Sequence, residues 1–189
     1  MQHSPGEMSG AGHWDHNLPI SYGAPTTYVL AAEWLAPCPL VEDWGAGTGR
    51  FATYRAGRTV GIDGSPGRQE AGRQVGRQVV EVVVPLEQYR STVAGIHMRH
   101  VLEHNECWRT ILTNACVSFT DRMVLTLFTP LAEQDTQLAW VEGYEVPDLS
   151  LDARALYSIL DEHDIEYETE RVEDTNAGYG NETMIRMSK

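Results

Sequence analysis

The sequence predicts an α/β fold: a mostly parallel sheet of seven strands, with helices on both faces and a C-terminal antiparallel hairpin. Three observations favour this class. Short apolar or β-branched runs alternate along the chain with segments of helical periodicity. A glycine-rich segment, Gly45–Gly49, follows the first of these runs directly. The last two runs are joined by Asn176–Asn181, a connection too short to hold a helix.

The strands are short and rich in Val, Ile and Leu, which suits a sheet buried on both faces. They are predicted at Leu40–Trp44, Thr59–Asp63, Val79–Val84, Gly95–His100, Met123–Phe128, Ile165–Val172 and Glu182–Met187. Helices are predicted at Thr27–Ala36, briefly from Arg50, from Pro66, over Trp108–Phe119 and over Leu151–Glu162. The fourth of these shows the clearest helical stripe, in which apolar residues recur at intervals of three and four.

The chain is long enough to form one domain with a single core. We expect residues 1–25 to be an irregular arm, 40–128 a cofactor-binding core, and 129–189 an acceptor-side loop, a helix and the closing hairpin. The loop is expected over Glu133–Pro147, where acidic and aromatic residues are frequent.

Charge and composition exclude several classes of partner. The net charge of -13 argues against nonspecific binding to duplex nucleic acid, which requires Lys and Arg to replace counterions. No stretch approaches the roughly 18 apolar residues of a membrane span. The polar N-terminus lacks the apolar region of a secretory signal. The three cysteines form no CxxC pair, which favours a reducing compartment. We therefore expect a cytoplasmic protein without a membrane partner.

The most informative motif is Asp43–Gly49, followed by Asp63 at the end of the next strand. Glycines at a strand end let the backbone turn tightly and approach a ligand closely. An acid that ends the neighbouring strand can accept hydrogen bonds from both hydroxyls of a ribose. Gly45 and Asp63 are 18 positions apart, close to the roughly 20 expected of nucleoside-binding β-α-β units.

The spacing of the glycines distinguishes between nucleoside cofactors. A dinucleotide fold requires G-x-G-x-x-G, in which the last glycine lets the helix pack close below a pyrophosphate. Here the pattern is G-x-G-x-G, and Arg50 occupies the position of that last glycine. Asp43 would also be poorly placed beside a pyrophosphate, whereas it suits a ligand that carries an ammonium group. The pattern favours S-adenosylmethionine over a dinucleotide.

These segments resemble the class I S-adenosylmethionine-dependent methyltransferases, a Rossmann-like family, and within it the small-molecule branch. Glu42–Gly49 is similar to the family's first motif and Gly61–Pro66 to its acidic second-strand motif. Arg99–His104 is similar to the segment that leaves strand four. The resemblance covers about Leu40 to Phe128. It departs at Gly57, which cuts the first helix short, and at the end of strand three, which lacks the family's usual acid that contacts adenine.

The resemblance implies a set of site residues. Cofactor contacts are expected from Asp43, Gly45, Ala46, Gly47, Gly49, Asp63, Gly64, Ser65, Leu86 and His100. Leu86 and Glu87 are the nearest candidates to contact adenine. His100 is also the candidate catalytic residue beside the methyl-transfer centre, where an oxygen acceptor would gain from a base. Trp44 is expected in the core.

The acceptor is expected to be a small molecule. Strand four is followed neither by an Asp-Pro-Pro-Tyr type of motif nor by a Pro-Cys nucleophile, so methylation of DNA bases is not indicated. The arm, with His13, Trp14, His16 and Tyr22, is expected to flank the acceptor pocket. The loop from Thr129 to Tyr144 is expected on its other side, with Phe128, Trp140 and Tyr144 in or beside it.

Two other functions compete with this one. His100-Val101-Leu102-Glu103-His104 fits H-x-x-E-H, the signature of a family of zinc peptidases. That site needs both histidines one turn apart on a helix, whereas this segment straddles the end of a predicted strand, so we expect no metal site. A partner subunit that binds the cofactor without catalysis is the second alternative. Degenerate glycines would favour it, and here the glycines are intact.

Overall fold

A computed structural model of the chain describes residues 25–74, 76, 80–142, 146–175 and 177–189. The helices are α1 (Thr26–Trp34), α2 (Pro66–Gln74), α3 (Trp108–Ser118) and α4 (Ala153–Glu162). The strands are β1 (Leu40–Trp44), β2 (Arg58–Asp63), β3 (Val80–Val83), β4 (Val93–Arg99), β5 (Phe119–Leu127), β6 (Thr136–Val141), β7 (Val146–Ser150), β8 (Glu166–Val172) and β9 (Glu182–Ser188).

Seven of these strands form one sheet in the order β3-β2-β1-β4-β5-β9-β8. The first five are parallel to one another, while β9 runs antiparallel to both β5 and β8. The predicted fold class is therefore confirmed, including the C-terminal hairpin. The carboxyl ends of β1, β2, β4 and β5 lie at the same edge as the amino end of β9, and we call it the carboxyl edge.

Helices cover both faces of the sheet. Strand β5 shows this directly, because Val124 packs in an apolar cluster with α1 while Met123 and Leu125 pack in a second cluster with α3 and α4. The α3 stripe predicted from the sequence supplies the fully buried Leu112 and Ala115 to the second cluster. Successive residues of β5 are thus buried on opposite faces, which requires an apolar layer on each side of the sheet.

The connection from β1 to β2 differs from expectation. The short helix predicted from Arg50 is only a 3₁₀ turn, Phe51–Thr53, because β2 already begins at Arg58. The Arg55 guanidinium donates to the carbonyl oxygens of Cys38 and Arg58 below this connection. A Cβ on Gly57 would lie 2.5 Å from Nη1 of Arg55. Gly57 therefore lets the chain pass over a buried guanidinium instead of continuing a helix.

The segment predicted as a loop, Glu133–Pro147, holds most of a second, two-stranded antiparallel sheet formed by β6 and β7. Strand β6 is exposed in its first half and half-buried in its second, so it lacks the alternation that would have revealed it. Asp135 anchors the hairpin to the main domain, since its carboxylate accepts hydrogen bonds from the Trp108 indole and the backbone N–H of Asp152. Tyr144 lies outside the described residues.

Candidate functional site

The glycine segment forms a turn over the end of β2. The backbone N–H groups of Gly45 and Ala46 donate to the carbonyl oxygen of Ile62 over 2.8 and 3.2 Å. Gly45, Gly47 and Gly49 have φ angles of 74°, 55° and 73°. These are left-handed conformations that glycine adopts without strain. The turn thus begins at the carboxyl edge, directly after β1.

Gly45 and Gly47 have different structural roles in the turn. A Cβ on Gly45 would come within 2.3 Å of the Val101 side chain, so glycine allows the turn to pack against the chain that leaves β4. Among the described residues, no atom lies within 4 Å of a Cβ built on Gly47. Gly47 therefore borders open space, as a backbone that receives a ligand at close range requires. This cradle fits the nucleoside cofactor implied by the sequence.

Asp63 ends β2 and binds the turn. Its Oδ2 accepts from the backbone N–H of Gly47 over 2.8 Å, and its Oδ1 accepts from the N–H of Ser65 over 2.9 Å. Gly64 lies between them, half-buried. Each carboxylate oxygen has more than one acceptor site, so these bonds leave Asp63 able to accept from ribose hydroxyls. The structure therefore brings Gly47, Asp63 and Ser65 together, as predicted.

Asp43 is held by a residue that the sequence prediction did not assign to the site. It lies opposite His97 in the register of β1 and β4, and its Oδ1 is 2.6 Å from Nδ1 of His97. The two side chains are only 4% and 1% exposed. The His97 ring stacks on Phe51 at a centroid distance of 3.8 Å. His97 could have been noticed from the sequence, because it is a polar residue within the otherwise apolar segment Gly95–Met98.

His100 follows β4 at the carboxyl edge in a left-handed conformation, with φ of 56°. Its Nε2 lies 2.5 Å from Oε1 of Glu182, at the start of β9. Burial lowers the pKa of His100 to about 4, because loss of hydration outweighs the hydrogen bond that the ring makes to the Glu182 carboxylate. His100 is therefore a neutral imidazole at pH 7 and a weak base.

Glu182 is the centre of a buried polar network that sequence reasoning missed. Its carboxylate accepts from the Thr27 hydroxyl over 3.2 Å, and its Oε1 lies 2.8 Å from Nη2 of Arg99. The angle between the Arg99 guanidinium and the Glu182 carboxylate does not suit a hydrogen bond at this nitrogen, so the two groups interact as an ion pair. Burial alone would raise the pKa of Glu182, but His100 and Arg99 outweigh burial and hold that pKa below its usual range. Glu182 is therefore ionised.

Two other residues singled out from the sequence, Leu86 and Trp44, lie in the apolar core. Leu86 packs in the apolar cluster on the α3 side and is 8% exposed, and its role beside adenine stays a prediction. Trp44 is fully buried in the same cluster, as expected, and its indole donates to Glu42. His13, Trp14, His16 and Tyr22 lie outside the described residues.

The first helix has its first residues beside the site. Helix α1 begins at Thr26, and Thr27 already contacts Glu182. Tyr28 follows, with its hydroxyl 3.2 Å from the guanidinium of Arg99. Helix α1 therefore begins at the carboxyl edge.

Phe128 also packs beside His100. Its ring centroid is 4.9 Å from that of His100, 5.1 Å from that of His104 and 5.9 Å from that of Tyr179. Tyr179 is half-exposed and donates to Asp148 of β7. Trp140, in β6, is half-buried. The β6–β7 hairpin and the connection before β9 thus border this aromatic group.

The geometry does not suit the zinc alternative. Leu102–His104 is a 3₁₀ turn, not a helix. His100 faces Glu182, whereas Nδ1 of His104 lies 3.0 Å from the carbonyl oxygen of Pro147. Across the described ranges of the chain, no three His, Cys, Asp or Glu residues are grouped so as to hold a metal ion.

Glu103 has a structural role in this segment. Its side chain is fully buried, and one oxygen accepts from the backbone N–H of Phe128 over 2.6 Å. The other oxygen has no hydrogen-bond partner among the residues that the structure describes. Burial raises the pKa of Glu103 from 4.5 to about 7, because nothing compensates the second oxygen when it is charged. The carboxyl thus tethers the end of β5 to the turn after β4.

The substitution Glu103→Gln is expected to stabilise the protein at pH 8 by about 3 kcal/mol. The folded pKa of Glu103 lies above its unfolded value, so its contribution to stability is complete below pH 4.5 and is lost as pH rises through 7. The amide resembles the protonated acid and keeps the bond to Phe128. Urea unfolding from pH 4 to 8 measures this change. The control is Glu166→Gln, at an exposed position of β8, and its stability should vary with pH as that of the wild type does. If the stability of Glu103→Gln also varies with pH as in the wild type, the Glu103 carboxyl does not have the raised pKa.

No protein-family model matches the chain, and no curated protein matches its sequence. Solved structures match its fold. One is magnesium protoporphyrin IX methyltransferase from Synechocystis PCC 6803 with S-adenosylhomocysteine bound, at 16% identity over 87% of this chain and 82% of that chain, with a TM-score of 0.64. Another is 1,6-didemethyltoxoflavin-N1-methyltransferase from Burkholderia thailandensis, at 18% identity over 86% and 76%, with a TM-score of 0.63.

The [4+2]-cyclase SpnF is also similar, at 14% identity over 91% of this chain and 88% of that chain, with a TM-score of 0.68. The chain thus has the fold of the class I S-adenosylmethionine-dependent methyltransferases, as its motifs predicted. The cyclase indicates that this fold also hosts other reactions, so the reaction has to be argued from the site. Each helix in the described part of the chain is too short or too polar to cross a membrane.

Proposed function

We propose that this protein is a methyltransferase that uses S-adenosylmethionine and acts on a small-molecule acceptor. The observation that carries the proposal is the pairing of the open Gly47 backbone with Asp63, which ends the adjacent strand at the carboxyl edge. In open α/β sheets, ligands bind at this edge. The fold supports the proposal, since similar proteins were crystallised with S-adenosylhomocysteine.

The cofactor-binding residues have distinct roles in this proposal. Asp63 accepts the ribose hydroxyls, and the backbone from Gly45 to Gly49 lies along the cofactor, with Gly64 and Ser65 beside the ribose. Leu86 lies on the adenine side. Asp43, oriented by His97, contributes negative charge near the ammonium group of the methionine part. Residues 40–128 thus form the cofactor-binding core of one domain.

The chain's contribution to methyl transfer is alignment and exclusion of water. When bound, S-adenosylmethionine would supply an electrophilic methyl group for in-line transfer to the acceptor. Alignment of reactants in a closed site lowers the entropic part of the barrier. His100 lies at the carboxyl edge after β4, where it can contact the acceptor. The arm and the segment 129–144 are the irregular parts that can close over it.

The proposal is tested by calorimetric titration with S-adenosylmethionine and S-adenosylhomocysteine, on the wild type and on Asp63→Ala. We expect the wild type to bind both. Loss of a charged acceptor for two hydroxyls costs on the order of 2–4 kcal/mol, so the variant should bind roughly thirty-fold more weakly or worse. Asp121→Ala, near the opposite end of β5, is the matched control and should bind normally. A loss below about threefold in Asp63→Ala would place the ribose elsewhere.

The arm is tested by deleting residues 1–20, with a deletion of residues 1–8 as control because it retains His13, Trp14 and His16. Aromatic faces favour a cationic sulfonium by about 0.5–2 kcal/mol. We therefore expect the longer deletion to weaken S-adenosylmethionine binding more than binding of the uncharged thioether S-adenosylhomocysteine. The shorter deletion should change neither affinity. Equal affinities in the wild type and the longer deletion, with unchanged turnover once an acceptor is in hand, would show that the arm is not a lid.

A further inference from the structure

The His100 ring has one occupied and one free nitrogen. Its Nε2 is taken by Glu182 at 2.5 Å. Its Nδ1 has no hydrogen-bond partner within the described part of the chain and is not among the buried unpaired polar atoms. The side chain is 15% exposed, whereas Glu182 is completely buried. The free nitrogen is therefore the one a ligand can reach.

We propose that Nδ1 of His100 accepts a hydrogen bond from a neutral hydroxyl group of the methyl acceptor, and that Glu182 is the positioning residue that holds the ring for this task. The inference rests on the methyltransferase function proposed above. It narrows the acceptor from any small molecule to one that presents an O–H group to the carboxyl edge.

The backbone at His100 supports a ligand-directed role. The left-handed conformation at φ of 56° is uncommon for a histidine, and it persists only where surrounding contacts impose it. Here the backbone N–H donates to the Thr126 carbonyl oxygen over 3.0 Å, and the ring is tied to Glu182. Such strain is concentrated at functional sites.

The charges around the ring determine which nitrogen carries the proton. Glu182 on β9 is ionised and can only accept a hydrogen bond, so Nε2 of the neutral ring must be the donor. The other charged or titratable groups that face the ring are Arg99 on β4 and His104 in the following turn, and both disfavour a second proton on it. Nδ1 therefore keeps its lone pair at pH 7.

This arrangement discriminates between acceptor chemistries. As a hydroxyl oxygen takes up the methyl group, its proton becomes strongly acidic, so even a weak base can accept it. The O–H bond breaks, the proton moves to Nδ1, and the imidazolium that results is stabilised by Glu182 before it loses a proton to water. A methylated alkylamine keeps an ammonium pKa near about 10, too high to transfer its proton to His100. A carboxylate brings no proton for Nδ1 to bind.

The full-length protein with ¹⁵N-labelled histidine tests the proposal by NMR at pH 7, with phenol, benzoate and benzylamine as ring-matched probes. Each probe is titrated with and without S-adenosylhomocysteine. We expect Nε2 protonated, Nδ1 unprotonated, and a shift of the Nδ1 resonance with phenol at least fivefold larger than with the other two. His104 is the internal control, because the Pro147 carbonyl already occupies its Nδ1, and its resonance should move much less.

The variant Glu182→Gln retains the side-chain volume and removes the charge. We expect the slowly exchanging Nε2 proton of His100 to be lost and the phenol-induced shift to fall at least fivefold. A proton on Nδ1 at pH 7, no response to phenol, or an equal response in Glu182→Gln would each overturn the proposal. Failure of S-adenosylhomocysteine to bind would instead overturn the proposed function, while the phenol titration without it still reports on His100.

Discussion

Gly47→Val is expected to abolish measurable binding of S-adenosylmethionine and S-adenosylhomocysteine, a loss of at least about a hundred-fold, while the sheet stays folded. A Cβ at this position meets no atom of the described part of the chain within 4 Å, so the added side chain occupies the space proposed for the cofactor. The left-handed φ of 55° also strains a β-branched residue by about 1–3 kcal/mol. Calorimetry measures the affinity, and circular dichroism reports on the fold.

Gly76→Val separates strain from obstruction. Gly76 has φ of 74°, and a Cβ there also meets nothing within 4 Å. It lies between α2 and β3, and therefore at the edge of the sheet opposite the proposed site. The control should lose comparable stability and keep wild-type affinity. If Gly47→Val binds the cofactor as well as this control does, the glycine turn is not the binding surface.

Glu182→Ala is expected to lower the free energy of unfolding by about 3–5 kcal/mol, because it leaves the Arg99 guanidinium buried without a counter-ion. The two side chains are 0% and 5% exposed, and they lie 2.8 Å apart. The Thr27 hydroxyl also loses its acceptor. Against a total stability of about 5–15 kcal/mol, this is a large loss. Urea unfolding at pH 7 measures it.

The matched control is Glu170→Ala. Glu170 pairs with Arg186 at 2.7 Å, at side-chain exposures of 46% and 23%. An exposed pair contributes at most about 1 kcal/mol, so this variant should be nearly as stable as the wild type. The double variant Arg99→Met with Glu182→Ala should recover part of the loss, since no unpaired charge then remains buried. Equal losses in the two alanine variants would mean that burial does not govern the Glu182 interaction.

The glycine turn and Asp63 could be predicted because their geometry depends on nearby residues. The motif Asp43–Gly49 contains the left-handed positions itself, and the neighbouring parallel strand places Asp63 at the same edge. The partners of His100 and Asp43 could not be predicted in this way. Glu182 is 82 positions from His100 in the chain, and His97 is 54 positions from Asp43. No local pattern links such residues.

The boundaries of the helices and strands likewise divide into those set by nearby residues and those set by distant ones. Strand β1 was predicted at the residues it occupies, because a short segment with apolar ends that leads directly into a glycine turn has one consistent interpretation. The 3₁₀ turn after it and strand β6 were missed. In the first case, the buried Arg55 guanidinium decides how the chain returns to β2. In the second, pairing with β7 and the anchor at Asp135 form a strand whose own residues show no alternation.

By itself, the sequence determined the fold class and the glycine turn after β1, because hydrophobic periodicity and backbone conformational preference act over a few residues. The tertiary structure decided the protonation of His100, the charge of Glu182 and the burial of Arg99. These depend on desolvation and on Coulomb interactions between β4, β9 and α1, which become neighbours only when β9 inserts beside β5.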